Sequence, residues 1–204
     1  MKIQSLKPLA IALMLAIVAP LFVSTVYAHS PPPLGGVNKF AYKIGDTGPG
    51  GGIIFFVDYY DQYTSFTYLE AAPKDIGLYI WCDTYIPNPV SGAAQWAAKG
   101  VGKGQANTNA MIAAGCSGAA VAADQYVNGR KSDWFLPSLG EAKLMYDNLI
   151  EAGKAGVDGF PWGAYWSSTN LGFGLAFMQS FNDGLQGNSN VNQTLAVLPI
   201  RSFR

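Results

Sequence analysis

The chain has 204 residues with 13 basic and 13 acidic side chains, one histidine, two cysteines and 24 glycines. An even charge balance excludes a protein built for non-specific nucleic-acid binding, which draws its affinity from many Lys and Arg contacts to phosphate. The length is enough for a domain that buries a real core.

The first element is an export signal. Lys2 and Lys7 precede the apolar run Leu9–Val23, and Val26-Tyr27-Ala28 supplies a small-residue exit. The run is shorter than the roughly 20 apolar residues of a membrane span, contains Pro20 and has no basic stop-transfer cluster behind it. Residues 1–28 therefore read as a cleaved signal peptide, with the product extracellular, at the cell surface or in the periplasm and no membrane span left after cleavage. The first cysteine is Cys82, which leaves no lipid-anchored cysteine at the mature start. Cleavage leaves 11 basic against 13 acidic side chains over 176 residues, one domain of ordinary size. Cys82 and Cys116 in an exported chain most simply pair with each other; two inert buried thiols are the alternative.

Residues 29–42 open with His29-Ser30-Pro31-Pro32-Pro33 and read as a Pro- and Gly-containing leader. Gly45 to Gly52 is a turn-rich loop with too few triplets for a collagen helix. Ile53–Asp58 is an apolar run with the length of a strand buried on both faces, and Tyr68–Ala72, stopped by Pro73, is a second strand. Asp75–Pro89 reads as an irregular loop pinned by the disulfide. One helix is expected after Asn107-Thr108, ending at Gly115, and another from Gly118 to Val127 after Ser117. Ser138 and Glu141 form a capping box, Leu144, Met145, Leu149 and Ile150 recur at helical spacing, and Gly153 stands at the C-cap. Tyr165–Thr169, Leu175–Phe181 and Leu195–Phe203 are late strands separated by Asn and Gly turns. Strands, then helices, then strands make an α+β domain.

Several strings, taken together and in order, resemble the C-terminal domain family of the Legionella collagen-like adhesin. They are GDTGPGGGIIFFVD (45–58), YLEAAP (68–73), GKGQANT (102–108), DWFLPS (133–138), YWSST (165–169) and PIRSF (199–203). The resemblance runs over 43–204. It implies a single domain related to the C-type lectin-like fold, with a small antiparallel sheet, two to three helices and long loops. It also implies an adhesin-type role, binding carbohydrate or sulfated glycosaminoglycan, and a homotrimer.

Chemistry-bearing residues are sparse. The mature chain has His29 at its N-terminus and no other histidine, which excludes a catalytic triad or a Cys-His pair on a rigid scaffold. A copper brace at His29 needs a second histidine, and no Cys and His spacing suits zinc. No cofactor or metal is expected. The carboxylate pairs that might serve glycoside hydrolysis are Asp58 with Asp61 and Glu70 with Asp75. Asn182 and Asp183, in an Asn-Asp-Gly turn, resemble an oxygen-ligand pair for calcium, with a turn as the plainer role. Lys99, Lys103, Arg130 and Lys131 lie in Gly-rich segments that would form a sulfate or carboxylate site if the fold gathers them; otherwise they are solvated charges. Trp162 offers either a platform for a sugar ring or a core plug. The functional expectation is a non-enzymatic exported binding module, with a structural or assembly domain of a surface structure as the alternative.

Overall fold

Five consecutive apolar side chains, Ile53–Val57, form strand β1, and all five are buried. The computed structural model describes residues 40–83, 98–153 and 163–204; the signal segment, most of the leader and Trp162 lie outside the described residues. Strand β2 (Tyr68–Ala71) pairs antiparallel with β1 and with β8 (Ile200–Phe203), giving a three-stranded sheet in the order β1-β2-β8. Its two faces are both covered. Phe55, Leu69 and Ile200 join Trp134, Phe135, Met145, Leu149 and Tyr165 on one side. Ile54, Val57 and Tyr68 meet Phe40, Tyr42 and Phe203 on the other. Phe40 and Tyr42, assigned by sequence to the leader, thus pack on this sheet.

A second sheet holds β3 (Leu78–Ile80), β4 (Ala164–Gly172), β5 (Leu175–Ser180), β6 (Gln186–Asn190) and β7 (Thr194–Ala196), in the order β3-β7-β4-β5-β6. It is antiparallel except where Tyr165 of β4 meets Ala196 of β7 in parallel. The architecture is mixed α+β, but with two sheets where sequence predicts one small antiparallel sheet. Two segments account for the difference. Gln186–Asn190 (QGNSN) has no apolar side chain to announce a strand, and Leu78–Ile80 lies inside the stretch expected to be loop. The expected strand 195–203 also divides, because Pro199 has no N–H to donate, so the chain leaves one sheet as β7 and enters the other as β8.

Three helices occur among the described residues: α1 (Gly104–Ala113), α2 (Ala119–Asp124) and α3 (Leu139–Met145), the last widening into a π-helical turn over Tyr146–Glu151. Both halves of the Ser138–Glu141 capping box are present, and Gly153 takes the left-handed conformation (φ 56°) of a C-cap glycine. The start of α1 differs from expectation. Asn107 and Thr108 lie inside the helix, their side chains committed elsewhere: the Asn107 amide donates to the Ala98 carbonyl at 2.8 Å, and the Thr108 hydroxyl accepts from Leu136 N–H at 3.0 Å. Helix α2 begins after Gly118 instead of Ser117 and ends at Asp124, short of Val127. A Cβ at Gly118 would fall 2.2 Å from the Ile80 carbonyl, so only glycine lets this helix start against β3.

Cys82 and Cys116 are joined by a disulfide. It lies in a second core with Trp81, Met111, Leu136, Trp166 and the small faces of Ala119, Ala120 and Ala123. Indole N–H groups are satisfied within this core: Trp81 donates to the Ser167 carbonyl at 2.7 Å and Trp166 to the Tyr79 carbonyl at 2.8 Å. Among the described residues no helix is long and apolar enough to cross a membrane.

Candidate binding loops

The centre of the molecule is charged. Glu70 in β2 is fully buried, and its register partner in β8 is Arg201. Arg201 donates from Nη1 to Glu70 Oε2 at 3.0 Å, and from Nε and Nη2 to the two oxygens of Asp133 at 2.9 and 2.8 Å. The remaining Glu70 lone pairs take the Gly50 N–H (3.0 and 3.1 Å) and the Gly52 N–H (2.6 Å). Charge-assisted bonds of this kind are the strong ones, and a carboxylate accepts without donating. The Gly48–Gly52 loop is therefore wrapped on a buried anion, and its glycines are steric necessities. A Cβ on Gly48 would lie 2.5 Å from Glu70 Cδ, and one on Gly52 only 2.0 Å from the Ala71 carbonyl oxygen. The loop offers no empty phosphate cradle, because Glu70 already fills it.

Two further carboxylates act alike. Glu141 is completely buried; it accepts from Ser138 N–H at 2.7 Å and from Gly102 N–H at 2.8 Å, so the Gly100–Gly104 segment folds around it. Burial pushes the Glu141 carboxyl above the ordinary range, and the donors from Ser138, Gly102 and Gly104 offset only part of that. Asp58, also buried, accepts from Gln62 and Tyr63 N–H at 2.9 and 2.7 Å, closing the turn after β1. The carboxylate pairs considered for hydrolysis thus have other employment. Asp75 receives the Gly77 N–H at 3.1 Å, and Glu70 is sealed from solvent. Among the described residues no group of three or more His, Cys, Asp or Glu side chains is placed to hold a metal.

The candidate cations fall on two loops. Asn128 and Lys131 exchange backbone hydrogen bonds at 3.1 and 2.8 Å around Gly129 (φ 55°) and Arg130 (φ 62°), a left-handed pair that defines a type I′ turn. This turn docks on the Gly48–Gly52 loop: the Asn128 amide donates to the Gly50 carbonyl at 2.7 Å, and a Cβ on Gly129 would touch Gly50 at 2.5 Å. Arg130 is exposed and Lys131 half-buried at its rim. Arg130 is one of three non-glycine residues with positive φ among the described residues. Lys99 and Lys103 belong instead to the loop around Glu141. The Lys99 ammonium stands 3.8 Å over the Phe177 ring, and burial lowers its pKa; Lys103 is exposed at the start of α1. So the structure groups the cations as two pairs on two separately anchored loops.

Asn182 and Asp183 are exposed at the tip joining β5 to β6. Asp183 accepts from Leu185 N–H at 3.1 Å and Gly184 takes φ 75°, the arrangement of a tight turn. A hydrogen bond from Ser180, with the Leu185 N–H, holds the Asp183 carboxyl below the ordinary range. Sequence reasoning did not single out Arg201, Asp133 or Glu141 as partners in this framework. One signal was available: Glu70 and Arg201 are lone charges of opposite sign inside apolar strands, where an unpaired charge is prohibitively costly. No protein-family model matches the chain, and no curated protein sequence matches it either.

Arg201→Met leaves Glu70 buried without its cation and is expected to cost about 3–5 kcal/mol in urea unfolding, whereas Glu70→Leu combined with Arg201→Met costs less than the sum of the single changes. The pH dependence has two limbs. Hydrogen bonding to Arg201 and its charge, working against burial, hold Asp133 below its ordinary range. A depressed folded pKa gives stability that is present above the unfolded value near about 3.9 and is lost as pH falls through the folded one. For Glu141 the folded pKa is raised, so its contribution is full below about 4.3 and declines as pH rises through the raised value. Urea midpoints measured from pH 2 to 7 are expected to show the acid limb flattened in Asp133→Asn and the upper limb flattened in Glu141→Gln.

Proposed function

We propose that this chain is an exported, non-enzymatic binding module on a C-type lectin-like fold, and that it recognises carbohydrate, sulfated glycosaminoglycan included, through the turn bearing Arg130 and Lys131. The observation carrying this reading is Arg130 itself. Holding a non-glycine residue in the left-handed region costs on the order of 1 kcal/mol, and here the cost falls on an exposed residue. What the strain achieves is display. Asn128 and Gly129 pin the turn to the Gly50 loop, Glu70 pins that loop, and two adjacent cations stand on a rigid mount.

A preorganised guanidinium beside an ammonium suits sulfate or carboxylate, because little ordering entropy is lost on contact. Asp133, the nearest acid in sequence, is paired with Arg201 and also feels the Lys131 charge, so of the two cations Arg130 is the one left to dominate the turn. Lys103 and Lys99 supply a second, lesser cationic loop. The two-sheet α+β architecture, the disulfide and the loops stapled to buried acids support a lectin-like display scaffold, and the disulfide also supports an extracytoplasmic location. The carboxylates are consumed in holding backbone, which favours binding over hydrolysis. The alternative role, an assembly domain, draws support from an open sheet edge considered below.

Retention on heparin and on a glycan array across a salt series tests the reading. Arg130→Ala with Lys131→Ala is expected to weaken binding by roughly five- to tenfold, about 1 kcal/mol, with retention falling as salt rises. Lys74→Ala, at an exposed lysine on neither cationic loop, should change nothing. No retention on any glycan at low salt would sink the proposal.

A further inference from the structure

Strand β6 is one of the two outer strands of the five-stranded sheet, β3 being the other, and among the described residues no strand pairs with its outer side. Its pairing with β5 is regular, with Leu175 opposite Asn190, Phe177 opposite Asn188 and Gln179 opposite Gln186. Val191 donates to the Gly174 carbonyl and Ser180 to the Leu185 carbonyl, each at 2.9 Å. Antiparallel alternation then turns the backbone groups of Leu185, Gly187, Ser189 and Val191 toward β5, and those of Gln186, Asn188 and Asn190 toward the open edge. The Asn190 carbonyl accepts from Gln193 N–H at 2.9 Å; the other outward groups meet no partner among the described residues.

The three-stranded sheet leaves neither of its edges in this state. The outer side of β1 is covered by Gly45–Thr47, through the Gly45 N–H to the Ile54 carbonyl at 2.8 Å and the Ile54 N–H to the Asp46 carbonyl at 2.9 Å. The outer side of β8 is covered by Phe135, which exchanges both bonds with Ile200 at 2.8 and 2.9 Å. Proteins that stay monomeric blunt a bare edge with charge, proline or a bulge. Residues 185–191 (LQGNSNV) contain no charge and no proline, and their ladder has no register shift, unlike those of β1–β2 and β4–β5.

We propose that β6 pairs antiparallel with β6 of a second copy of this chain, about a two-fold axis at Asn188, joining two five-stranded sheets into one. The strand is complementary to itself in this register. Asn188 meets its own copy, Gln186 meets Asn190, and about four backbone hydrogen bonds form between the outward groups that have no other partner, the Asn190 carbonyl being taken by Gln193. Beyond them Leu185, 66% exposed in the single chain, comes opposite Val191, which is half-buried against the second core with its carbonyl held by the Trp81 N–H at 2.9 Å. No like charges are brought together. That self-match, amide on amide and Leu185 on Val191, selects a second copy over a foreign peptide.

The test is sedimentation velocity of the exported chain over a concentration series, with hydrogen exchange read at residues 186, 188 and 190. A reversible dimer is expected, with these amides fast-exchanging when dilute and protected when concentrated. Asn188→Lys, which sets a charge against its own copy, should weaken dimerisation by about tenfold or more. Asn188→Cys should cross-link on mild oxidation, because directly opposed residues stand about 5.5 Å apart between Cα atoms, within disulfide reach. Asn182→Cys, on the exposed turn, should not. A chain that stays monomeric at high concentration while Asn188→Cys fails to cross-link overturns the proposal. So does an assembly of any size indifferent to Asn188→Lys. Protection of the three amides in the dilute monomer, which would place another segment of the same chain on the edge, overturns it equally.

Discussion

The fold is organised around one buried anion. Glu70 sits in the middle strand of the smaller sheet with no exposed surface, a position whose desolvation costs several kcal/mol unless it is fully compensated. Compensation comes from three directions: Arg201 across the β2–β8 ladder, and the Gly50 and Gly52 amides from the loop before β1. Burial works against the Arg201 charge, and the hydrogen bonds to Asp133 and Glu70 outweigh it, so its pKa stands above the ordinary value. Each partner is thereby fixed. Arg201 sets the register of β8 and draws in Asp133, and the Gly loop cannot leave without orphaning the carboxylate. Such a centre is weak evidence for net stability but a strong device for specifying one arrangement.

The same device recurs at smaller scale. Glu141 gathers Ser138 and the Gly100–Gly104 segment, and Asp58 gathers Gln62 and Tyr63. In each case a carboxylate accepts from the backbone of a loop; Glu141 does so from a helix with a near glycine allowing the approach, whereas Asp58 closes a glycine-free turn just after β1. A Cβ on Gly104, for example, would lie 2.3 Å from Glu141 Oε2. Loops rich in glycine ordinarily lose much entropy on ordering. Here carboxylate hydrogen bonds to the Gly50, Gly52 and Gly102 amides offset part of that loss.

Much of this was legible in the residues and some was not. The burial of Ile53–Val57, the Ser138 cap, the Gly153 stop and the Cys82–Cys116 pairing follow from signals in the sequence: an apolar run, a capping box, a glycine, and two cysteines in a chain expected to be exported. Strand β6 was not legible, because QGNSN owes its conformation to the ladder with β5 and carries no pattern of its own. The start of α1 misled for a related reason. Asn107 and Thr108 look like caps, yet long-range bonds to Ala98, Ser168 and Leu136 claim their side chains. For the candidate site, the Gly-rich strings drew attention as loops, while their meaning lay in acids 18 to 39 residues away along the chain. Sequence spacing carries no sign of that pairing except the opposed lone charges of Glu70 and Arg201.

A display role fits this construction, since cations on the 128–131 turn inherit the rigidity of the loop beneath them. That inheritance depends on the staples being real in solution. Native-state hydrogen exchange at Gly50, Gly52 and Gly102 measures them directly, because these amides lie in loops outside the strand ladders and donate to buried carboxylates. Exchange as slow as that of the β1–β2 ladder is the predicted result. Exchange at the rate of an unprotected loop would contradict the view that buried acids hold the binding loops in place.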